Sequence, residues 1–178
     1  MSASTKSTYN ARSAIQVRLS LSEMARAAHV GVQRHLKCLE RGSKPAHGAD
    51  EHTLWQIHIE GALGECAVAK ALNVYWEGGI DTFQKYGDVG GYEVRTTPLD
   101  SGRLIIRSVD IETRRFVLVT GENGWYTVHG WLVGKDAKRD EWIDAPNNRP
   151  PAWFAPQSAL RPLSDLVPGG VVLARNWT

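Results

Sequence analysis

Residues 87–97 read GDVGGYEVRTT. One acid, Asp88, lies in a glycine-rich turn, and a second, Glu93, follows five positions later on what reads as a β-strand. Alternation puts Glu93, Arg95 and Thr97 on one face of that strand and Tyr92, Val94 and Thr96 on the other. Two charges on one face of a strand otherwise suited to burial have two explanations: an ordinary solvated edge, or acids that converge on a metal ion.

The segment before the turn weighs on that choice. TLWQIHIEGALGECAVAKAL, residues 53–72, is apolar nearly all the way round, which predicts a helix inside the fold packed on a sheet. Gly61 and Gly64 would each cost about 1 kcal/mol relative to Ala in a helix interior, a cost that makes sense where another backbone comes close. Glu65 shares its face with His58, Gly61, Ala69 and Leu72. A carboxylate buried there needs a partner, which is a basic side chain, a backbone donor or a cation. If this helix packs over the start of the strand, Glu65, Asp88 and Glu93 meet, and oxygen ligands of this kind suit Mg²⁺ or Mn²⁺.

Outward from this centre the pattern is one of helices first and strands after. Residues 1–13 carry no periodicity and are expected to form a mobile arm. From Ser20 a helix is predicted, because Ser20 and Glu23 have capping-box spacing and Leu21, Met24, Ala28, Val32, Leu36 and Leu39 recur every three or four residues. Gly42 is its expected stop. Arg34, Lys37 and Arg41 lie on the other side of this helix, expected as a solvated face and only secondarily as a phosphate-facing one. SKPAHGADEH, residues 43–52, reads as a loop.

GYEVRTT, RLIIRS, RRFVLVT and WYTVHGWLV then read as strands, and the short links between them favour antiparallel neighbours. KDAKRDEWI is a short helix or turn, NNRPP a loop, and PAWFAPQSALRPL a strand fragment followed by a helical turn. The expected plan is a single α/β (α+β) domain over residues 14–178. It divides into an N-terminal helical extension (14–50), a core (53–133) and a C-terminal extension (134–178).

Composition narrows the class further. With 42% hydrophobic and 22% charged residues the chain suits a globular protein, and a formal charge of +2 permits contact with nucleic acid without requiring it. Cys38 and Cys66 form neither a disulfide framework nor a zinc spacing, which fits a reducing cytoplasm. No apolar run approaches the ~20 residues that span a bilayer, so no membrane partner is expected. Histidines 29, 35, 47, 52 and 129 form no metal cluster, no serine sits in a nucleophile elbow, and GDVGG is not a nucleotide-binding fingerprint. His58 is expected as a satisfied core residue. Arg103, Arg107, Arg114, Arg115, Lys135, Lys138 and Arg139 interleave with Trp125, Trp131 and Trp142, a mixture that can hold phosphates and stack on bases. Acids beside several of them, and the use of tryptophan for core area, weigh against a wholly basic groove. Asp110 is expected to cap a turn, with a place in the acidic centre as the second reading.

The order of a helix bearing GALGE, then Asp88, then Glu93-Val94-Arg95, then a hydrophobic strand resembles the PD-(D/E)XK nuclease superfamily, over about residues 53–120. The run GDVGGYEVR, LIIRSVD, FVLVTG and GW also resembles small proteins of phages and prophages. The resemblance implies a restriction-endonuclease-like mixed sheet flanked by helices and a Mg²⁺ (or Mn²⁺) dependent hydrolysis of DNA phosphodiester bonds. It assigns Glu65, Asp88 and Glu93 to the metal, with DNA as partner and the host cytoplasm as location. Where the family usually carries lysine this chain has Arg95, which cannot accept a proton near neutral pH but can stabilise charge on a phosphate. Lys70 and Lys85 are candidate substitutes, neither at the family's position. The alternative is a catalytically inactive module of the same fold that binds nucleic acid or a protein, with its acids paired internally to Arg95 and Lys70; under either reading the sequence leaves the oligomeric state open, a homodimer included.

Overall fold

A computed structural model describes residues 14–42, 53–80, 87–146 and 149–166. The expected arm, the loop residues 43–52 with His47 and His52, and Lys85 lie outside the described residues. The described residues fold as mixed α/β, with three helices and two sheets. In order the elements are β1 (Ile15–Arg18), α1 (Leu21–Glu40), α2 (Leu54–Leu72), β2 (Glu93–Thr97), β3 (Leu104–Arg107), β4 (Arg115–Glu122), β5 (Trp125–Val133), α3 (Gly134–Ala137), β6 (Ile143–Asp144) and β7 (Ala152–Ala155). Among the described residues no helix is long and apolar enough to cross a membrane.

Helix α1 begins where its capping box predicts. The Ser20 hydroxyl accepts from the Glu23 N–H at 3.2 Å, and the Glu23 carboxylate accepts from the Ser20 N–H at 2.6 Å. The stretch before it is not helical, as the expected extension would have it: β1 pairs antiparallel with β5 and joins the main sheet. A four-residue strand with one buried side chain, Val17, carries too short a period to stand out from the arm before it.

The four-stranded sheet has the order β1-β5-β4-β2, and β2 runs parallel to β4. Short links therefore do not make β2 and β3 neighbours. Instead β3 leaves for a second, antiparallel sheet of order β3-β7-β6. The reason is amphipathic: Leu104 and Ile106 of β3 are fully buried against Phe116, Leu118 and Leu132, which cover the face of the main sheet opposite the helices. The helix face is covered by the larger cluster, in which Ala62, Val68 and Leu72 of α2 meet Val94, Val117 and Val119. The result is three layers: helices, main sheet, small sheet.

Two glycines set how closely the layers meet. A Cβ on Gly64 would stand 1.9 Å from the Thr96 hydroxyl oxygen, so α2 lies directly on β2. A Cβ on Gly31 would stand 2.5 Å from the Ile59 Cα, so α1 and α2 cross backbone to backbone. Gly61, expected to serve the same purpose, has open space around it.

Candidate functional site

Close crossing of α1 and α2 decides the fate of Glu65. Arg34 follows Gly31 by one helical turn, and its guanidinium closes on the Glu65 carboxylate at 2.5 and 2.8 Å. Trp76 Nε1 donates to the same carboxylate at 3.1 Å, and Arg34 Nε donates to the Gly79 carbonyl at 2.8 Å. Both charged groups are buried. Arg34 is thus not on a solvated face. The sequence hides this because its partner lies 31 residues away on another helix.

Asp88 sits in the turn before β2, where Gly87 adopts a left-handed φ of 73° and the chain doubles back so that the Asp88 N–H donates to the Tyr92 carbonyl at 2.7 Å. Its Oδ2 accepts from the Val94 N–H at 2.8 Å. Burial pushes the Asp88 carboxyl up to about 6, with the Glu65 charge acting in the same direction; the Val94 N–H, Arg95 and Arg34 oppose them. Asp88 is half-buried, and no cation is bonded to it among the described residues.

Glu93 opens β2 and is paired with Arg114. Burial raises its pKa, then the charge of Asp88, against the pull of Arg114. Glu93 and Arg95 do share one face of β2, as alternation requires. That face is the one turned from α2, since Val94 packs in the helix-side cluster and the Arg95 guanidinium lies 5.0 Å from the Phe116 ring centre in the other. Arg95 pairs with neither Glu93 nor Glu65. One of its terminal nitrogens donates to both oxygens of Asp110, at 2.9 and 3.0 Å. Asp110 also accepts from the Arg107 N–H at 2.8 Å, so it caps its turn and joins the charged cluster at once.

The charge of Glu65 thus acts on Asp88 and that of Asp88 on Glu93, while Glu65 and Glu93 lie on opposite sides of β2 and are each held by an arginine. Among the described residues no group of three or more His, Cys, Asp or Glu side chains is placed to hold a metal ion. Glu65 accepts three hydrogen bonds and has little capacity left. Asp88 and Glu93 are a different matter: their number and oxygen chemistry suit an ion that takes one or two carboxylates and fills its shell with water and phosphate.

Lys70, a candidate for the displaced lysine, donates to Glu23 at 2.7 Å and to the Arg18 carbonyl at 2.9 Å, at the start of α1. The aromatic rings expected to stack on bases largely carry the protein's own cations, with Arg115 and Arg161 over Trp131 and Arg139 over Trp142. His58 faces His35, ring centres 5.3 Å apart, and burial lowers its pKa, helped by the charges of His35 and Arg34. Arg34 and Arg114 are the two parts of this centre that the sequence does not announce; a buried carboxylate with no basic residue on its own helix face is the one signal that a distant cation must meet it. Comparison of the chain with protein families, curated proteins and solved structures returns no match.

Proposed function

We propose that the chain is a Mg²⁺-dependent nuclease that hydrolyses DNA phosphodiester bonds on a restriction-endonuclease-like core, with Asp88 and Glu93 as the metal-holding pair. The observation that carries this reading is the situation of Asp88, a half-buried carboxylate with acids on two sides and only a backbone N–H bonded to it. Perturbed acids of this kind cluster at functional sites. The sequence of α2, the Asp88 turn, β2 and a hydrophobic parallel partner β4 supports the core.

When bound, the ion would polarise the phosphodiester and lower the pKa of an attacking water. Glu65 would act on Asp88 through its charge, held in place by Arg34. Arg114 would orient Glu93. Arg95, fixed by Asp110, would stand as a permanent cation for the phosphate and not as a base.

A second reading is a non-enzymatic module of the same fold that binds nucleic acid or a protein. It is favoured by the pairing of Glu65 with Arg34 and of Glu93 with Arg114, which leaves two of the three acids neutralised within the fold. The readings separate on plasmid DNA. A nuclease cuts with Mg²⁺ or Mn²⁺, and Asp88→Asn and Glu93→Gln abolish cutting while the far-UV spectrum stays unchanged. Wild-type protein that shifts DNA equally with and without EDTA and never cuts it establishes the module instead.

A further inference from the structure

On the outer face of the small sheet, Ile105 and Arg107 of β3 stand beside Ala152 and Phe154 of β7, because each pair is in register across the ladder. Arg149 and a wall of prolines, Pro146, Pro150 and Pro151, close a pocket of about 120 Å³ over this face. Neither Arg107 nor Arg149 donates a side-chain hydrogen bond to another described residue. Asp110, the acid nearest to Arg107 in sequence, is already taken by Arg95 and by the Arg107 backbone N–H. Burial lowers the pKa of Arg107, and the like charges of Arg95 and Arg149 add to it against Asp110. Two guanidiniums that share a small pocket without a bound carboxylate are a site short of an anion.

We infer that the pocket between Arg107 and Arg149 is a phosphate-binding subsite that takes a backbone phosphate of a DNA strand. Three features favour a phosphate within a strand over a free one. The apolar walls of Ile105, Phe154 and the prolines suit an adjoining sugar or base. Arg103, paired with Asp144 at 3.1 Å, lies 4.9 Å from the Phe154 ring centre and keeps a further guanidinium along the same face. Asp110 ties the Arg107 backbone directly to Arg95 on β2, so the subsite is contiguous with the proposed catalytic centre. The inference rests on the reading of this chain as one that acts on DNA, and gives it a place where the strand is held.

The test is fluorescence anisotropy of the full chain with single-stranded and duplex oligonucleotides in EDTA, over a series of salt concentrations. Removing one cation that neutralises a phosphate reduces the slope of log affinity against log salt by about one. Arg107→Gln/Arg149→Gln is expected to reduce the slope by about two, and Arg149→Gln alone, at an exposed position, by about one. Unchanged slope and affinity in both variants overturn the subsite, even if the wild type cuts DNA. Tight binding of a mononucleotide or inorganic phosphate that both variants abolish, without binding of either oligonucleotide, overturns the strand assignment. The nuclease reading fails separately, if Mg²⁺ produces no cutting while the slopes change as expected.

Discussion

Arg34 of α1 and Glu65 of α2 form a buried two-point ion pair, with both terminal guanidinium nitrogens on the two carboxylate oxygens. Removing one partner leaves the other charge buried, which costs about 3–5 kcal/mol, whereas replacing both with apolar residues is often neutral or stabilising. Arg34→Met and Glu65→Leu are each expected to lower the urea midpoint strongly, and the double variant to recover most of the loss. The denaturation series gives the coupling directly.

Gly64 and Gly61 should respond in opposite directions to the same substitution. Gly64→Ala drives a methyl group onto Thr96 and is expected to destabilise by about 1–3 kcal/mol as α2 lifts from β2. Gly61→Ala meets open space and should stabilise by up to about 1 kcal/mol through helix propensity. Thermal melts of the two variants side by side check both.

Asp88 makes stability depend on pH with a definite sign. Its folded pKa of about 6 lies above the ordinary value of 3.8, so the native state binds the proton more tightly than the unfolded state. Stability should therefore fall as pH rises from about 4 to about 6, and the penalty, on the order of 3 kcal/mol, should persist above that range. Asp88→Asn keeps an acceptor for the Val94 N–H and removes the charge, so its stability should exceed that of the wild type at pH 8 and approach it at pH 4. Urea titrations at the two pH values measure the difference. The same substitution abolishes cleavage under the proposed function, so a gain in stability would accompany a loss of activity.

Cys66 lies in α2, and burial pushes its thiol up to about 11, with the charge of Glu23 acting in the same direction. Thiolate is the reactive form, so Cys66 should resist alkylation at pH 8 in the folded protein and react once urea unfolds it. Mass spectrometry after a timed pulse of iodoacetamide reads this, with Cys38, half-exposed on α1, as the reactive internal reference.

Much of the architecture is legible in the sequence because its signals are local. The Ser20/Glu23 capping box, the apolar α2 and the strands β2 to β5 each declare themselves within a dozen residues or so. What stays hidden depends on distant partners. Nothing in RLIIRS distinguishes a strand that pairs with β2 from one that pairs with a segment almost fifty residues later. The α1 periodicity suggests burial of Leu21, Leu36 and Leu39, all of which are exposed, while Arg34 is inside because Glu65 is there to receive it. For the candidate site, placement of Glu93 and Arg95 on one face follows from alternation. That this face is turned from α2 does not, since it depends on which layer each side of β2 meets.

Among the described residues the sheet order leaves β2 outermost, with one ladder side facing no further strand. Such a border invites another chain to add itself on. Here Asp88 folds back to occupy the Val94 amide, and Glu93 and Arg95 place charge along the same short strand. Charge beside a capped amide on a short outer strand is the kind of feature that disfavours edge-to-edge pairing between copies.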